Sequence, residues 1–456
     1  MTAAKPTATI WDRSRVWVTL GAVALIFLAA IEALAVTTVM PIVSDALDGQ
    51  SLYAVAFAGT LATSVIGMVA AGSWSDARGP RGALYAAVTL FILGLLISGF
   101  AATMPQFLIG RLVQGLGAGG QTVALYVVVA RLYPPYLHGR VFAAFAAAWV
   151  VPSMIGPFLA GAVAEYLDWR WAFLGVAVLT AIAFSMVAIR LRGVDLGRGE
   201  PQDRRALLTR LSLAIVVAVL AVVIGLSAEL DPAIGWPVAL GAVLAIGVAV
   251  LPLLPRRTLR AGAGLPSVVL MRGVAAGAFF AAEAYIPYLL MRKFDFSATW
   301  AGVALMLAAF AWAGASAAQG RYGERLGNHR ITALSLGALL AAMLCVLAAA
   351  AFDASPIFVI VGWAFAGGGM GLLYPRLTVL TLAYSDETNQ GFNSSALSIS
   401  DATGSAVAIA LAGLAVATLG GRADAFAVVF VLGVGLVLLA VIPGLRLGHA
   451  AESSVR

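Results

Sequence analysis

Long apolar stretches without a single charge recur along this chain, and they constrain its fold more than any other feature. A helix that crosses about 30 Å of hydrocarbon needs about 20 mostly apolar residues. Seven uncharged stretches reach that length, at residues 49–75, 82–110, 141–164, 296–320, 331–352, 354–375 and 425–445. The chain is therefore predicted to cross a membrane many times.

Other stretches are short and apolar or are interrupted by one charged residue, and they complete the set of spans. We predict an all-α polytopic membrane protein with fourteen transmembrane helices. The predicted bounds are 16–40, 52–73, 82–102, 105–130, 139–164, 171–191, 207–228, 234–254, 266–291, 298–319, 331–351, 355–382, 390–418 and 423–445.

The composition supports this class and excludes several others. Apolar residues make up 62% of the 456 residues and charged residues 11%, against roughly 45–50% and about 25% in soluble domains. An ordinary soluble enzyme, a disordered protein and a nucleic-acid-binding domain are thereby excluded. With three His and one Cys in the whole chain, we expect no disulfide framework, no metal site and no cofactor.

Basic residues are distributed unevenly between the two sides of the predicted bundle. With the N-terminus in the cytoplasm, cytoplasmic segments hold 22 of the 28 Lys and Arg residues, including Arg272 near the start of helix 9. Cytoplasmic loops of membrane proteins are rich in Lys and Arg, so both termini are predicted to be cytoplasmic. Arg outnumbers Lys 26 to 2 and Ala is abundant, which indicates a GC-rich bacterial source and hence a plasma (inner) membrane.

The chain carries an internal repeat. In the loop after helix 2, Asp76 follows Gly72 by four residues, and Gly79 follows Asp76 by three. Gly320, Glu324 and Gly327 repeat this spacing after helix 10. Four glycines of helix 4 recur in helix 12, each displaced by 252 residues. Parallel repeats of this kind are one transporter architecture. We predict an N-terminal six-helix bundle at 1–192, a cytoplasmic linker with an inserted helix pair at 193–262, and a C-terminal six-helix bundle at 263–456.

Several short motifs at matching places in these helices point to one family. They are Gly72-x3-Asp76-x-Arg78-Gly79-x-Arg81 after helix 2, Arg111-x2-Gln114-Gly115-x-Gly117 in helix 4, Gly156-Pro157-x3-Gly161 in helix 5, Trp169-Arg170-Trp171-x-Phe173 before helix 6, and Glu32 nine residues before Pro41. Ala77 stands where the family pattern usually has Arg. Together the motifs resemble the major facilitator superfamily, and within it the fourteen-helix drug:proton antiporters.

The resemblance implies a transporter and not an enzyme, in which two halves alternately expose a central cavity and expel a small-molecule substrate in exchange for protons. It also implies that Gly72, Asp76, Arg78, Gly79 and Arg81 form a cytoplasmic gating loop, and that Gly156, Pro157 and Gly161 form an exporter signature. The expected partners are the lipid bilayer, the substrate and protons. We expect a monomer that binds no nucleic acid.

Five candidates stand out among the charged residues of the predicted spans, because a charge at mid-bilayer costs at least about 2.5–3.5 kcal/mol unless it has a partner, water or a function. They are Glu32, Arg111, Glu283, Arg376 and Asp401. One interpretation makes the three acids proton-coupling or substrate sites, with the two arginines as their charge partners. The other makes fixed ion pairs, of Glu32 with Arg111 and of Asp401 with Arg376. The face of helix 9 that carries Glu283 has no basic residue, which favours the first interpretation there.

Three further features bear on the site. Ser394, Ser398, Asp401 and Ser405 lie on one face of helix 13, and such a polar stripe favours an aqueous cavity over lipid. Glu165, near the outer end of helix 5, is either an interfacial residue or part of an outer gate. The chain lacks the Gly-x4-Gly-Lys-Ser/Thr motif of ATPases, so an ion gradient or the substrate's own gradient must drive transport.

The leading hypothesis is a proton-coupled exporter of amphiphilic, cationic or neutral small molecules. The alternative is an exporter of an endogenous lipid or metabolite, with helices 7 and 8 as a lateral surface for an acyl chain. A nutrient uptake permease is a third possibility, and a channel, a receptor or an intramembrane enzyme is disfavoured. Coupling to sodium in place of protons stays open.

Overall fold

The computed structural model describes residues 12, 15–194, 196, 204–352, 354–385, 390–419 and 423–447. Within these ranges the chain forms fourteen helices that are long and apolar enough to cross a membrane, and no β-strand. The predicted all-α class and the predicted number of helices are confirmed. Five of the basic residues counted for orientation lie outside the described residues: Lys5, Arg13, Arg198, Arg422 and Arg456.

The helices are numbered in chain order. Their bounds are α1 Val16–Ala46, α2 Tyr53–Arg78, α3 Pro80–Gly99, α4 Met104–Leu132, α5 Pro135–Tyr166, α6 Trp171–Leu191, α7 Arg204–Leu226, α8 Pro232–Ala249, α9 Leu265–Lys293, α10 Ala298–Gly323, α11 Arg325–Ala351, α12 Ile357–Ala383, α13 Gln390–Thr418 and α14 Ala427–Leu447. Below, α1–α6 are the N-terminal half and α9–α14 the C-terminal half. The end of the bundle at which α1 begins and α14 ends is called the terminal end, and the opposite one the distal end.

Most predicted bounds lie within five residues of the observed ones, and the structure departs further at two places. Helix α1 continues through Pro41 to Ala46, six residues beyond its predicted end, because transmembrane helices tolerate an internal proline. A loop is predicted at 320–330, yet the helix runs from Ala298 to Ala351 with a single break at Gly327, where φ is 72° and ψ is 165°. Gly79, between α2 and α3, has φ 87° and ψ 156°. Glycine adopts this conformation readily, so the two repeated loop glycines make the same turn.

The repeated glycines of α4 and α12 lie where helices cross closely. A Cβ on Gly115 would lie 2.2 Å from the Thr60 carbonyl oxygen of α2, and one on Gly367 would lie 2.0 Å from the Ala308 carbonyl oxygen of α10. Small residues permit this approach in membranes. Helix α4 therefore packs on α2 as α12 packs on α10. The sequence repeat thus corresponds to a repeat in helix packing. The boundaries at 192/193 and 262/263 stay predictions.

The two halves meet where α5 crosses α10 and where α2 crosses α13. A Cβ on Gly302 would lie 2.3 Å from the Pro157 carbonyl oxygen, and one on Gly161 would lie 2.5 Å from that of Ala298. All four residues lie near the distal ends of α5 and α10. The crossing of these helices therefore brings the halves into contact at the distal end.

The inserted pair, α7 and α8, lies against both halves. Helix α7 packs against α2 and α13, and a Cβ on Gly225 would lie 2.6 Å from Val55 Cγ2 of α2. A Cβ on Gly235 of α8 would lie 3.6 Å from Leu414 Cδ1 of α13. The pair therefore covers the seam between α2 and α13.

Candidate functional site in the helix bundle

A polar cluster lies between α9, α12 and α13 of the C-terminal half. Arg272 approaches Asp401 Oδ2 through Nη2 at 2.7 Å and donates to it through Nε at 2.8 Å. The Tyr374 hydroxyl donates to Asp401 Oδ1 at 3.0 Å, and the Arg272 guanidinium lies 3.3 Å from the centre of the Tyr374 ring. Side chains of Arg272 and Asp401 are 16% and 21% exposed. Both carboxylate oxygens of Asp401 are thus engaged in a cluster that solvent still reaches.

The predicted pairing of Asp401 with Arg376 is wrong. The Nε of Arg376 donates to Asn328 Oδ1 at 2.6 Å, beside the break at Gly327. Arg272, counted among the cytoplasmic residues, lies about two turns inside α9 and takes the place predicted for Arg376. Helices α9 and α13 approach closely there, because a Cβ on Gly404 would lie only 2.2 Å from the Gly273 carbonyl oxygen. The small residues next to Arg272 and Asp401 are the signal that could have revealed this contact.

Glu283 lies on α9, three turns from Arg272, and is half-buried. Among the residues that the structure describes, none forms a hydrogen bond or an ion pair with its carboxylate, and Tyr374 is within reach of its charge. Aromatic rings of α9, α10 and α12 meet at Phe279, one turn before Glu283 on α9. Phe279 lies 5.4 Å from Trp312, and Trp312 lies 5.2 Å from Tyr374, between ring centres. An unpaired acid next to aromatic rings suits a lipophilic cation or a proton.

In the N-terminal half, the structure brings Glu32 and Arg111 together in an ion pair. Both residues are 4% exposed. Arg111 also donates to Gln114 Oε1 at 2.7 Å and to the Ala56 carbonyl oxygen at 3.4 Å. This is the fixed ion pair of the second interpretation. Gln114, which the sequence analysis named only as part of a motif, orients Arg111. A buried charge of this kind requires its partner.

Glu165 joins the halves at the distal end. Its Oε2 accepts hydrogen bonds from the Thr299 backbone N–H at 3.2 Å and the Thr299 hydroxyl at 2.6 Å. Thr299 lies in the first turn of α10, where backbone N–H groups have no partner within the helix and an anion is favoured. Glu165 thus joins α5 to α10, and its part in an outer gate stays a prediction.

Two further contacts between the halves at the distal end were missed by sequence reasoning. Asp45 at the end of α1 forms an ion pair with Arg292 at the end of α9. Tyr53 donates its hydroxyl to the Ala284 carbonyl oxygen, and its ring stacks on Tyr288 with centres 5.1 Å apart. Because α1 and α9 are equivalent in the repeat, opposite charges at their matching ends were the available signal.

The loop between α2 and α3 contacts the linker that leaves α6. Arg81 donates to the Val194 carbonyl oxygen, and Arg131 donates to those of Leu196 at 3.1 Å and of Ser75 at 3.2 Å. Charges of Arg131 and Arg210 act on Asp76. Arg78 is exposed, and a Cβ on Gly72 would meet only Val123 Cγ1 at 3.6 Å. Arg81 and Arg131 thus connect the predicted gating loop to the linker.

The exporter signature of α5 faces two helices. Pro157 and Gly161 meet α10 as described above, and a Cβ on Gly156 would lie 3.7 Å from Leu34 Cβ of α1. In the described ranges, no three His, Cys, Asp or Glu side chains lie close enough together to hold a metal ion. The site is thus built from helix crossings and a few buried charges.

Curated relatives match parts of the chain. The MFS efflux transporter aclA of Aspergillus oryzae is 33% identical over 179 residues, 38% of this chain and 32% of that protein. Multidrug resistance protein 3 of Bacillus subtilis is 28% identical over 167 residues, 37% and 33% of the two chains. The MFS transporter L2 of a Phoma species is 32% identical over 151 residues, 33% and 25%. The matched segments span about a quarter to a third of these relatives.

Solved structures match the fold over almost the whole chain. A peptide transporter POT in complex with sulfate aligns with a TM-score of 0.67 and 17% identity, covering 94% of this chain and 95% of that one. A bacterial homologue of the human lysosomal transporter Spinster, in an inward-facing and unoccupied conformation, aligns with a TM-score of 0.67 and 14% identity, covering 95% and 97%. At such identities the likeness shows the fold alone.

The family model described as Major Facilitator Superfamily matches residues 22–360 and 269–454. These matches agree with the motifs, with the fourteen helices and with the repeated packing of α4 and α12. The chain belongs to the major facilitator superfamily of membrane transporters.

Proposed function

We propose that the protein exports amphiphilic small molecules, cationic or neutral, in exchange for protons, by alternating access across a plasma membrane. The terminal end and both termini lie in the cytoplasm in this proposal, because basic residues of the chain concentrate there. Partial relatives that are named an efflux transporter and a multidrug resistance protein support export. Export of drugs would make the host resistant to them.

The observation that carries the proposal is the unpaired Glu283 carboxylate. Asp401 is held by Arg272 and Tyr374, and Glu32 is buried against Arg111. Of the three predicted acids, Glu283 is therefore the one that has no hydrogen-bonding or ionic partner among the described residues. A half-buried acid without a fixed partner is free to bind a proton or a cation, which is the property that coupling needs.

The contacts at the distal end indicate the step of the cycle. Glu165 with Thr299, Asp45 with Arg292 and the α5–α10 crossing join the halves there. We infer a conformation that is closed to the outside and open to the cytoplasm, ready to take up substrate. Outward opening would break these contacts and expose Glu283 to external protons, and protonation would release a bound cation.

Inverted membrane vesicles provide the test. They are energised to be acid inside, and a fluorescent reporter follows the pH difference while lipophilic cations and neutral drugs are added. We expect drugs to trigger proton release in the wild type and the release rate to fall at least tenfold in Glu283→Gln. Glu229→Gln is the matched control, because Glu229 is exposed at the distal end and should keep full activity.

Three results would contradict the proposal. Drug-triggered proton release that survives in Glu283→Gln, at equal protein level, would remove Glu283 from the coupling step. No response of the wild type to any compound would favour an endogenous lipid or metabolite as the substrate. Sodium-dependent transport without proton movement would show that sodium, and not the proton, is the coupling ion.

A further inference from the structure

A groove of about 270 Å³ opens between α11 and α14, away from the crossings that join the halves. Most of its wall is apolar. Its lining includes His329, Thr332, Leu336 and Leu340 of α11, and Val441 and Leu445 of α14. Helix α14 packs against α9 and α11 of its own half, so the groove lies on the outer side of the bundle.

The length of the groove corresponds to one leaflet of a membrane. From His329 to Leu340 the α11 wall rises about 16 Å, at 1.5 Å per residue. Half of the hydrocarbon thickness of a bilayer is about 15 Å. The groove begins at the terminal end of the bundle, because His329 lies four residues after the first residue of α11. One acyl chain of the leaflet at the terminal end can therefore lie along it.

The mouth of the groove is basic. His329 lines it and is exposed, and the neighbouring Arg330 and the nearby Arg325 are exposed as well. Basic pockets between transmembrane helices on the cytoplasmic side are suited to anionic lipid headgroups. The groove also has free space at Gly337, since no atom of the described residues lies within 4 Å of a Cβ built there. An apolar slot with a cationic mouth fits an anionic amphiphile and disfavours a zwitterionic or cationic one.

We propose that this groove is a binding site for one anionic phospholipid, with an acyl chain between α11 and α14 and the headgroup at His329 and Arg330. The site is separate from Glu283 and does not depend on the proposed export. Its headgroup would lie two residues from Gly327, where the helical path from Ala298 to Ala351 breaks. The lipid would thus contact the part of the C-terminal half that carries Asn328, the partner of Arg376.

Native mass spectrometry of the purified full-length chain tests the site. Wild type is mixed with phosphatidylglycerol or with phosphatidylcholine of the same chain length. Gly337→Leu fills the groove, and Arg330→Gln removes a charge from its mouth. Gly435→Leu is the matched control, since Gly435 lies on exposed α14 surface outside the groove and also has nothing within 4 Å of a built Cβ.

We expect wild type and Gly435→Leu to retain phosphatidylglycerol at least tenfold more strongly than phosphatidylcholine, and both groove variants to lose that preference. Equal retention by Gly337→Leu and wild type, or an equal loss in Gly435→Leu, would overturn the proposal. Equal binding of the two lipids by the wild type would also overturn it. A dimer of the 46.8 kDa chain that Gly337→Leu abolishes would show that a second copy occupies the groove.

Discussion

A methyl group at Gly302 should open the distal end of the bundle. The Cβ of an alanine there would lie 2.3 Å from the Pro157 carbonyl oxygen and 3.0 Å from the Phe158 backbone nitrogen. Ordinary contacts of a Cβ begin near 3.4 Å, so α5 and α10 would have to move apart by about 1 Å, which tightly packed structures resist. The clash exists only while the distal end is closed.

Overpacking of such a contact costs about 1–3 kcal/mol. The cost falls on the distal-closed conformation alone, and about 1.4 kcal/mol corresponds to a tenfold change in an equilibrium. We therefore expect Gly302→Ala to raise the ratio of distal-open to distal-closed molecules about 5- to 150-fold. Gly314→Ala is the control, because it gains the same helix propensity of about 1 kcal/mol in the same helix and meets nothing within 4 Å.

Spin labels at Leu167 and Phe352 report the opening through electron–electron distance distributions. These residues are 72% and 80% exposed and lie at the distal ends of α5 and α11, in different halves. Cys345, the single cysteine of the chain, is first replaced by Ala. Identical distributions for Gly302→Ala and Gly314→Ala would refute the idea that the α5–α10 crossing controls distal closure.

Three other substitutions, one of them with a matched control, test the remaining contacts. Arg111→Met should lower stability by about 3–5 kcal/mol, because Glu32 would stay buried without its partner. An unchanged melting temperature in detergent would contradict this expectation. Gly79→Ala should cost about 1–3 kcal/mol in the same assay, since its φ of 87° suits only glycine. Gly72→Ala is its control inside α2 and should gain up to about 1 kcal/mol from helix propensity. Arg292→Gln removes a half-exposed ion pair and should raise distal opening by no more than about fivefold, and a larger rise would contradict this.

The number and order of the helices could be predicted because a membrane span depends on residues that are adjacent in the sequence. Apolar length predicts a span, and the common spacing of Gly72 to Gly79 and of Gly320 to Gly327 predicts the repeat. The helical path from Ala298 to Ala351 could not be predicted, because polar residues at 320–330 are as frequent in loops as in exposed helix ends. Only the backbone angles of Gly327 distinguish the two cases.

The candidate site could be predicted only in part. Glu32 and Arg111 were paired in one of two interpretations, since both lie at similar depth in motifs of the same half. Asp401 meets Arg272 and not Arg376 because helix rotation and the close approach of α9 and α13 decide which side chains meet. Such contacts join residues 129 positions apart, and their geometry leaves no local pattern in the sequence.

The position of α7 makes the two sides of the transporter unequal toward the membrane. The twofold relation of the halves exchanges α2 with α10 and α13 with α5, so each contact between halves has a counterpart across the bundle. Helices α7 and α8 lie over the contact of α2 with α13, and the repeat supplies no second such pair for that of α5 with α10. A lipophilic molecule that diffuses within the bilayer thus meets one screened flank and one open flank. In the proposed export, a substrate that enters from the bilayer would therefore have to pass the flank of α5 and α10.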